Sequence, residues 1–138
     1  MHPEQAPSFL PLTVAAARSA ARNRADTDQA VEVQRCAEAA EAAATGCWAA
    51  LLGGCDSPER RALPSRLRAL AAATSGYVGA SSWGASLHRR KVAEAQSRID
   101  SAVAEGDGAE FAEAFVGYDQ AIATAVASVR SRLGSPTS

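Results

Sequence analysis

Alanine is the feature of this chain that most narrows the folds available to it. It occupies 34 of the 138 positions, while Phe, Trp and Tyr together make up only 5% of the residues. Alanine is the strongest helix former, whereas strands favour β-branched and aromatic side chains, which are sparse here. The composition therefore predicts an all-α fold, and the length fits a single domain with one modest core.

Three long segments carry apolar residues at spacings of three and four, which is the repeat of one helix face. They run from about residue 28 to 52, from about residue 82 or 85 to 105, and from about residue 108 to 133. The three stripes are Ala30, Val33, Ala37, Ala40, Ala44, Cys47 and Leu51; Ala85, His88, Val92, Ala95, Ile99 and Ala102; and Phe111, Phe115, Tyr118, Ile122, Ala125 and Val129. We expect a helical bundle of three long helices plus one or two short helices.

The turn between the second and third long helices is short. Gly106 predicts the end of one helix, and Asp107 followed by Glu110 has the spacing of a capping box that starts the next. These two helices should therefore form an antiparallel hairpin. The alanine stripe of residues 28–52 is expected to pack against the bulky stripe of residues 111–129, because small side chains against large ones fill space.

The shorter helices are marked by capping residues and prolines. A first helix is expected from about residue 12 to 24, and a break between residues 23 and 28 is favoured over a bend or one long helix through residues 12–52. Ser57-Pro58 predicts a helix start, and Pro64 predicts a second one. The predicted organisation is a flexible arm over 1–10, one helical domain over 11–134 and a disordered tail over 135–138.

The net charge of −1 gives no general reason to expect nucleic acid as a partner. The charges are unevenly placed, however. Residues 56–98 hold eight Lys/Arg against three Asp/Glu, whereas residues 99–138 hold two against six. A basic helix lying beside acidic neighbours explains this asymmetry, and a partner surface is the alternative explanation.

The setting suggested by the sequence is the cytoplasm of a bacterium. Three cysteines in a chain of this length are not a disulfide framework, and the N-terminus lacks the basic region of a signal peptide. Residues 69–87 carry no charge but contain too many Ser, Thr and Gly for a membrane span. Of the 14 basic residues only Lys91 is lysine, and the excess of Arg and Ala indicates a GC-rich genome.

No motif assigns a catalytic residue, so the interpretation leans away from an enzyme, and no cofactor or metal is expected. A di-iron bundle needs two Glu-x-x-His pairs, but His88 is the only histidine after residue 2. Cys36 and Cys47 are eleven residues apart, about 16 Å along one helix, which is too far to share an ion. Nucleophile elbows and phosphate-binding glycine loops are absent from the sequence.

One segment, residues 75–91, is the best candidate for a ligand or partner site. Its glycine-rich start predicts a loop or a strained turn, and function tends to lie in loops on a rigid scaffold. The predicted site residues are Tyr77, Trp83, His88, Arg89 and Arg90. A site would leave the two rings at an open concavity, whereas a structural plug would bury both of them.

Three functions are compatible with the sequence. The first is a small helical interaction or scaffolding module that self-associates, most simply as a homodimer, or binds a protein partner. The second is a bundle that binds a small anionic molecule in a pocket near residues 75–91, as a sensor or an enzyme. The third is a nucleic-acid-associated regulator, which the charge balance disfavours and which would use Arg60, Arg61, Arg66 and Arg68.

Overall fold

The computed structural model describes residues 8–22, 27–84 and 86–134, which form six helices and no strand. They are α1 (Pro11–Arg22), α2 (Thr27–Gly53), α3 (Pro58–Val78), α4 (Ala80–Gly84), α5 (Leu87–Glu105) and α6 (Gly108–Gly134). The all-α prediction is confirmed. The predicted tail, residues 1–7 of the predicted arm, and residues 23–26 at the predicted break lie outside the described residues.

The three predicted stripes supply most of the core. On α2 every stripe position from Ala30 to Cys47 is buried, and on α6 the whole stripe is buried. On α5 the stripe is buried from Val92 to Ala102, while His88 is only half-buried. Helix periodicity alone therefore identified the inward faces of the long helices.

The hairpin of α5 and α6 forms as predicted. Gly106 adopts a left-handed conformation with φ of 69°, which ends α5. The Asp107 carboxylate accepts a hydrogen bond from the backbone N–H of Glu110 at 3.1 Å, which caps α6. Arg98 and Glu110 then form an ion pair across the two helices.

The prediction that the alanine stripe of α2 packs against α6 is wrong. The alanine stripe of α2 is covered chiefly by α3 and α1, which approach it closely. The main link from α2 to α6 is an aromatic contact, in which the ring centroids of Trp48 and Phe111 are 6.0 Å apart. Small side chains admit the neighbouring backbones, while the bulky rings of α6 hold that helix farther from α2.

The second helix start predicted at Pro64 is also wrong, because α3 runs through this residue as a fourth long helix of 21 residues. The first start is confirmed, since the Ser57 hydroxyl accepts a hydrogen bond from the Arg60 N–H at 3.0 Å. An internal proline costs about 3 kcal/mol. Burying one leucine side chain gains about 1.5–3 kcal/mol, and Leu63, Leu67 and Leu70 are all buried on one face of α3.

Residues 8–10 were assigned to the flexible arm, but in the structure Phe9 and Leu10 are buried. The carboxylate of Glu41 on α2 accepts hydrogen bonds from the Phe9 N–H at 3.0 Å and from the Leu10 N–H at 2.7 Å. The Phe9 ring packs against Trp48 and Phe115, with centroid distances of 5.7 and 5.3 Å. These contacts fix the path by which the chain enters α1.

Candidate functional site

The two aromatic rings predicted to mark a site lie in the core. Tyr77 is 8% exposed near the end of α3, and Trp83 is 7% exposed on α4. Three concavities are formed by the described residues, and neither ring lines any of them. The turn between them is made by Gly79 alone, whose φ of 108° is strained for other residues. This is the arrangement expected of a structural plug.

The basic residues of the same segment separate from one another. Arg89 closes the α4–α5 junction, since its backbone N–H donates to the Ser86 hydroxyl at 3.1 Å and its Nε donates to the Gly84 carbonyl at 3.3 Å. Arg90 is exposed. His88 is half-buried and, together with Lys91, lines a groove between α5 and α6. Of the five predicted site residues, only His88 lines one of these three concavities of the described residues.

This polar groove has a volume of about 550 Å³. One wall is α5 and the other is α6, and Leu12 of α1 closes one side. The lining residues are Leu12, His88, Lys91, Glu94, Ala95, Arg98, Gly117, Gln120, Ala121 and Thr124. The α5 wall is therefore charged, whereas the α6 wall has no charge.

Arg98 is already engaged within the chain. Its Nε and Nη2 donate to the two carboxylate oxygens of Glu110 at 2.7 and 3.0 Å. This hydrogen bonding lowers the pKa of Glu110 and raises the pKa of Arg98. Within the described part of the chain, Lys91 has no ion pair. Lys91 and His88 are therefore the groups of this groove that can meet an incoming anion.

A second, apolar groove of about 390 Å³ adjoins the first. The two grooves share Leu12 and Gln120. The lining residues of the apolar groove are Ser8, Phe9, Pro11, Leu12, Trp48, Ala112, Phe115, Val116, Asp119 and Gln120. Leu12 and Val116 are 50% and 58% exposed, so the centre of this surface presents large apolar side chains to water.

The outward residues of α6 between these grooves form a surface that sequence reasoning missed. We name this surface the α6 outer face; its residues are Val116, Gly117, Gln120, Thr124 and Ala127. They are the exposed residues of positions 114–129, and none of them is charged. A signal was present in the sequence, because these residues also follow a three-four spacing and Asp119 is the one charged residue in that stretch.

Asp119 points inward and positions the edge of this surface. It is buried, and its carboxylate accepts hydrogen bonds from the backbone N–H groups of Leu12 at 3.1 Å and Thr13 at 2.8 Å. The Thr13 hydroxyl donates to the Asp119 carbonyl at 3.1 Å. The first turn of α1 is thereby capped by α6, which holds the exposed Leu12 side chain beside the α6 outer face.

Of the four arginines predicted to bind nucleic acid in the third function, two form contacts within the chain. Arg60 donates to the Cys55 carbonyl at 3.1 Å and to the Val103 carbonyl at 2.9 Å. Arg61 forms an ion pair with Asp56. Both lie on the single long helix α3, which is followed by the five-residue α4 instead of a recognition helix. Arg66 lines a third concavity, of about 330 Å³, between α2 and α3.

The cysteines are dispersed. Cys36 and Cys47 are buried, and burial raises the pKa of both thiols, while Cys55 is exposed. Among the described residues, no three His, Cys, Asp or Glu side chains are grouped so that they could hold a metal ion. No helix within this same part of the chain has both the length and the apolar character needed to cross a membrane.

Comparison with protein-family models, with curated proteins and with solved structures found no match for this chain.

Proposed function

We propose that this protein is a helical interaction module that self-associates as a two-fold dimer through the α6 outer face. The observation that carries the proposal is an exposed helix face without charge, which includes the exposed Val116 and lies beside the exposed Leu12. A helix whose outer face meets only water normally carries charged residues there. Contiguous exposed apolar surface is typical of interaction sites, and the two-fold dimer is the commonest symmetric assembly.

Gly117 supports a close approach by a second chain. It lies inside α6, where glycine costs about 1 kcal/mol relative to alanine. A Cβ atom built at this position meets nothing within 4 Å, so no contact within the described part of the chain requires a glycine. A backbone that packs across Gly117 from another subunit would require one.

The test is the mass of the protein in solution. Light scattering over micromolar concentrations should give the mass of a dimer for the natural chain and of a monomer for Val116→Glu. Val31→Glu is the matched control, because Val31 is also exposed, at 46%, but lies on α2. A monomeric natural chain would refute the proposal, and so would equal dissociation by both substitutions.

A second candidate function is binding of a small anionic molecule in the polar groove. The supporting observation is a concavity of about 550 Å³, within the usual range for ligand pockets, lined by Lys91 and His88. Calorimetric titration with a series of small carboxylates and phosphates tests it. Binding should occur to the natural chain and be lost in Lys91→Gln. The absence of binding at millimolar ligand would exclude this function.

We also propose a reducing compartment, such as the bacterial cytoplasm, as the place where the module works. The support is that Cys36, Cys47 and Cys55 are all free thiols. Mass spectrometry after alkylation of protein in freshly lysed cells would test this, since three labelled thiols are expected.

A further inference from the structure

We infer that the two subunits pair with their α6 helices antiparallel, so that Glu113 of each subunit lies against Lys91 of the other. This inference rests on the proposed self-association and adds its geometry, its register and the charges that select it.

The two ends of the surface carry opposite charge. At one end Glu110 and Glu113 project from the start of α6, where the hydrogen bond and charge of Glu110, and to a smaller extent the charge of Glu113, raise the pKa of Arg98. At the other end His88 and Lys91 lie beside Ala121 and Thr124. Arg98 is already bonded to Glu110, whereas Glu113, Lys91 and Glu94, which lines the groove between the two ends, form no ion pair among the described residues. Glu113 and Lys91 are the opposite charges of this set that lie at opposite ends of the surface.

The register follows from symmetry. Glu113, Gly117, Gln120, Thr124 and Ala127 lie on one stripe of α6, and Gln120 is its midpoint. The two grooves also share Gln120, which places it at the centre of the surface. A two-fold axis at Gln120 puts residues at equal distances from it opposite each other. Glu113 and Ala127 are each seven residues, or about 10.5 Å, from that axis.

This register brings the opposite charges together. Glu113 of one subunit lies opposite Ala127 of the other, which is three residues beyond Thr124, the last α6 residue that lines the polar groove with His88 and Lys91. A parallel pairing would instead place Glu113 against Glu113 and Lys91 against Lys91. Like charges facing each other across an interface are strongly unfavourable, so the charge distribution selects the antiparallel pairing.

Charge reversal tests this arrangement. Glu113→Lys and Lys91→Glu should each weaken dimerisation by about tenfold or more, because each creates two like-charge pairs per dimer. Mixing the two variants should restore the affinity to within about threefold, since the mixed dimer has an opposite-charge pair at both positions. Dissociation constants come from analytical ultracentrifugation at low salt, and circular dichroism confirms that each variant is folded.

Two substitutions serve as controls for charge alone. Arg90→Glu and Glu105→Lys make the same charge changes at exposed positions of α5 outside the groove. They should leave the dissociation constant unchanged, singly and mixed. A second readout is the dependence of the dissociation constant on salt. Added salt should weaken the natural dimer by screening the pair of Glu113 and Lys91, and it should have less effect on Glu113→Gln, which lacks that pair.

The possible failures are distinguishable. If Val116→Glu dissociates the dimer but neither charge reversal weakens it, or if mixing does not restore affinity, the antiparallel register is wrong and self-association through α6 stands. If the natural chain is a monomer, both the proposed function and this register are overturned.

Discussion

The two helices of the hairpin, α5 and α6, pack against each other but present different surfaces to water. The exposed charged residues of α5 are Arg89, Arg90, Lys91, Glu94, Arg98, Asp100 and Glu105, whereas α6 exposes no charge over residues 114–129. Both helices bury a regular apolar stripe, so the need for a core does not explain the difference. Solvation alone is satisfied by a face like that of α5, whereas the proposed second subunit would account for the uncharged face of α6.

The largest expected effect concerns the one charge in that stretch of α6, which is turned inward. Asp119→Ala leaves the N–H groups of Leu12 and Thr13 without their acceptor, and hydrogen bonds to a buried charged group are strong. We expect a loss of about 3 kcal/mol in the free energy of unfolding, measured with urea. Glu105→Ala, at an exposed carboxylate of α5 outside the proposed interface, should change it by less than about 0.5 kcal/mol. Equal effects would contradict the anchoring role.

The inner face of α6 also contains a buried phenol. The Tyr118 hydroxyl donates to the Leu67 carbonyl at 2.7 Å, and burial raises the pKa of this tyrosine. Tyr118→Phe should therefore lower the free energy of unfolding by about 1 kcal/mol near neutral pH.

The raised pKa of Tyr118 also predicts a pH dependence. In the unfolded chain the phenol ionises near pH 10, whereas the folded protein holds it neutral at that pH. Its contribution to stability is therefore fully present below about pH 10 and lost as the pH rises beyond it. Urea unfolding at pH 8 and pH 10.5 should show a smaller alkaline loss in Tyr118→Phe than in the natural chain. An equal loss would show that other groups cause it.

A pair of glycine substitutions separates folding from association. A Cβ atom at Gly117 on α6 or at Gly76 on α3 meets nothing within 4 Å, so each change to alanine should raise the free energy of unfolding by about 0.5–1 kcal/mol. Measuring both in a Val116→Glu background keeps the samples monomeric. In the natural background only Gly117→Ala should weaken the dimer. Similar dimer affinity in both variants would argue against close approach at Gly117.

The smallest expected effect is at the exposed pair that joins the two helices. Hydrogen bonding from Arg98 lowers the pKa of Glu110, so this pair stabilises the fold above the unfolded pKa of a glutamate and ceases to do so as the pH falls through the folded value. Glu110→Gln should lower the melting temperature slightly at pH 7 and leave it unchanged in strong acid, as followed by circular dichroism. A larger difference in acid than at pH 7 would contradict this role.

The sequence predicted the candidate site only in part. His88 was identified as a site residue and does line the polar groove, but Tyr77 and Trp83 are buried. Aromatic residues beside glycines suit an open pocket and a closed plug equally well, because the sequence does not say what covers them. The uncharged run from 114 to 129 was readable in the sequence, yet its meaning depends on which of its faces is turned outward.

The sequence by itself determined the all-α class, the inward faces of α2, α5 and α6 and the hairpin of α5 and α6, because helix propensity, three-four spacing and capping are local properties. The tertiary structure decided the rest. It buried Phe9 and Leu10, carried α3 through Pro64 and turned Asp119 toward α1. The bond between Asp119 and the Thr13 N–H joins residues 106 positions apart. No local pattern specifies such a partner; it is selected only when the helices pack and a buried carboxylate must find donors.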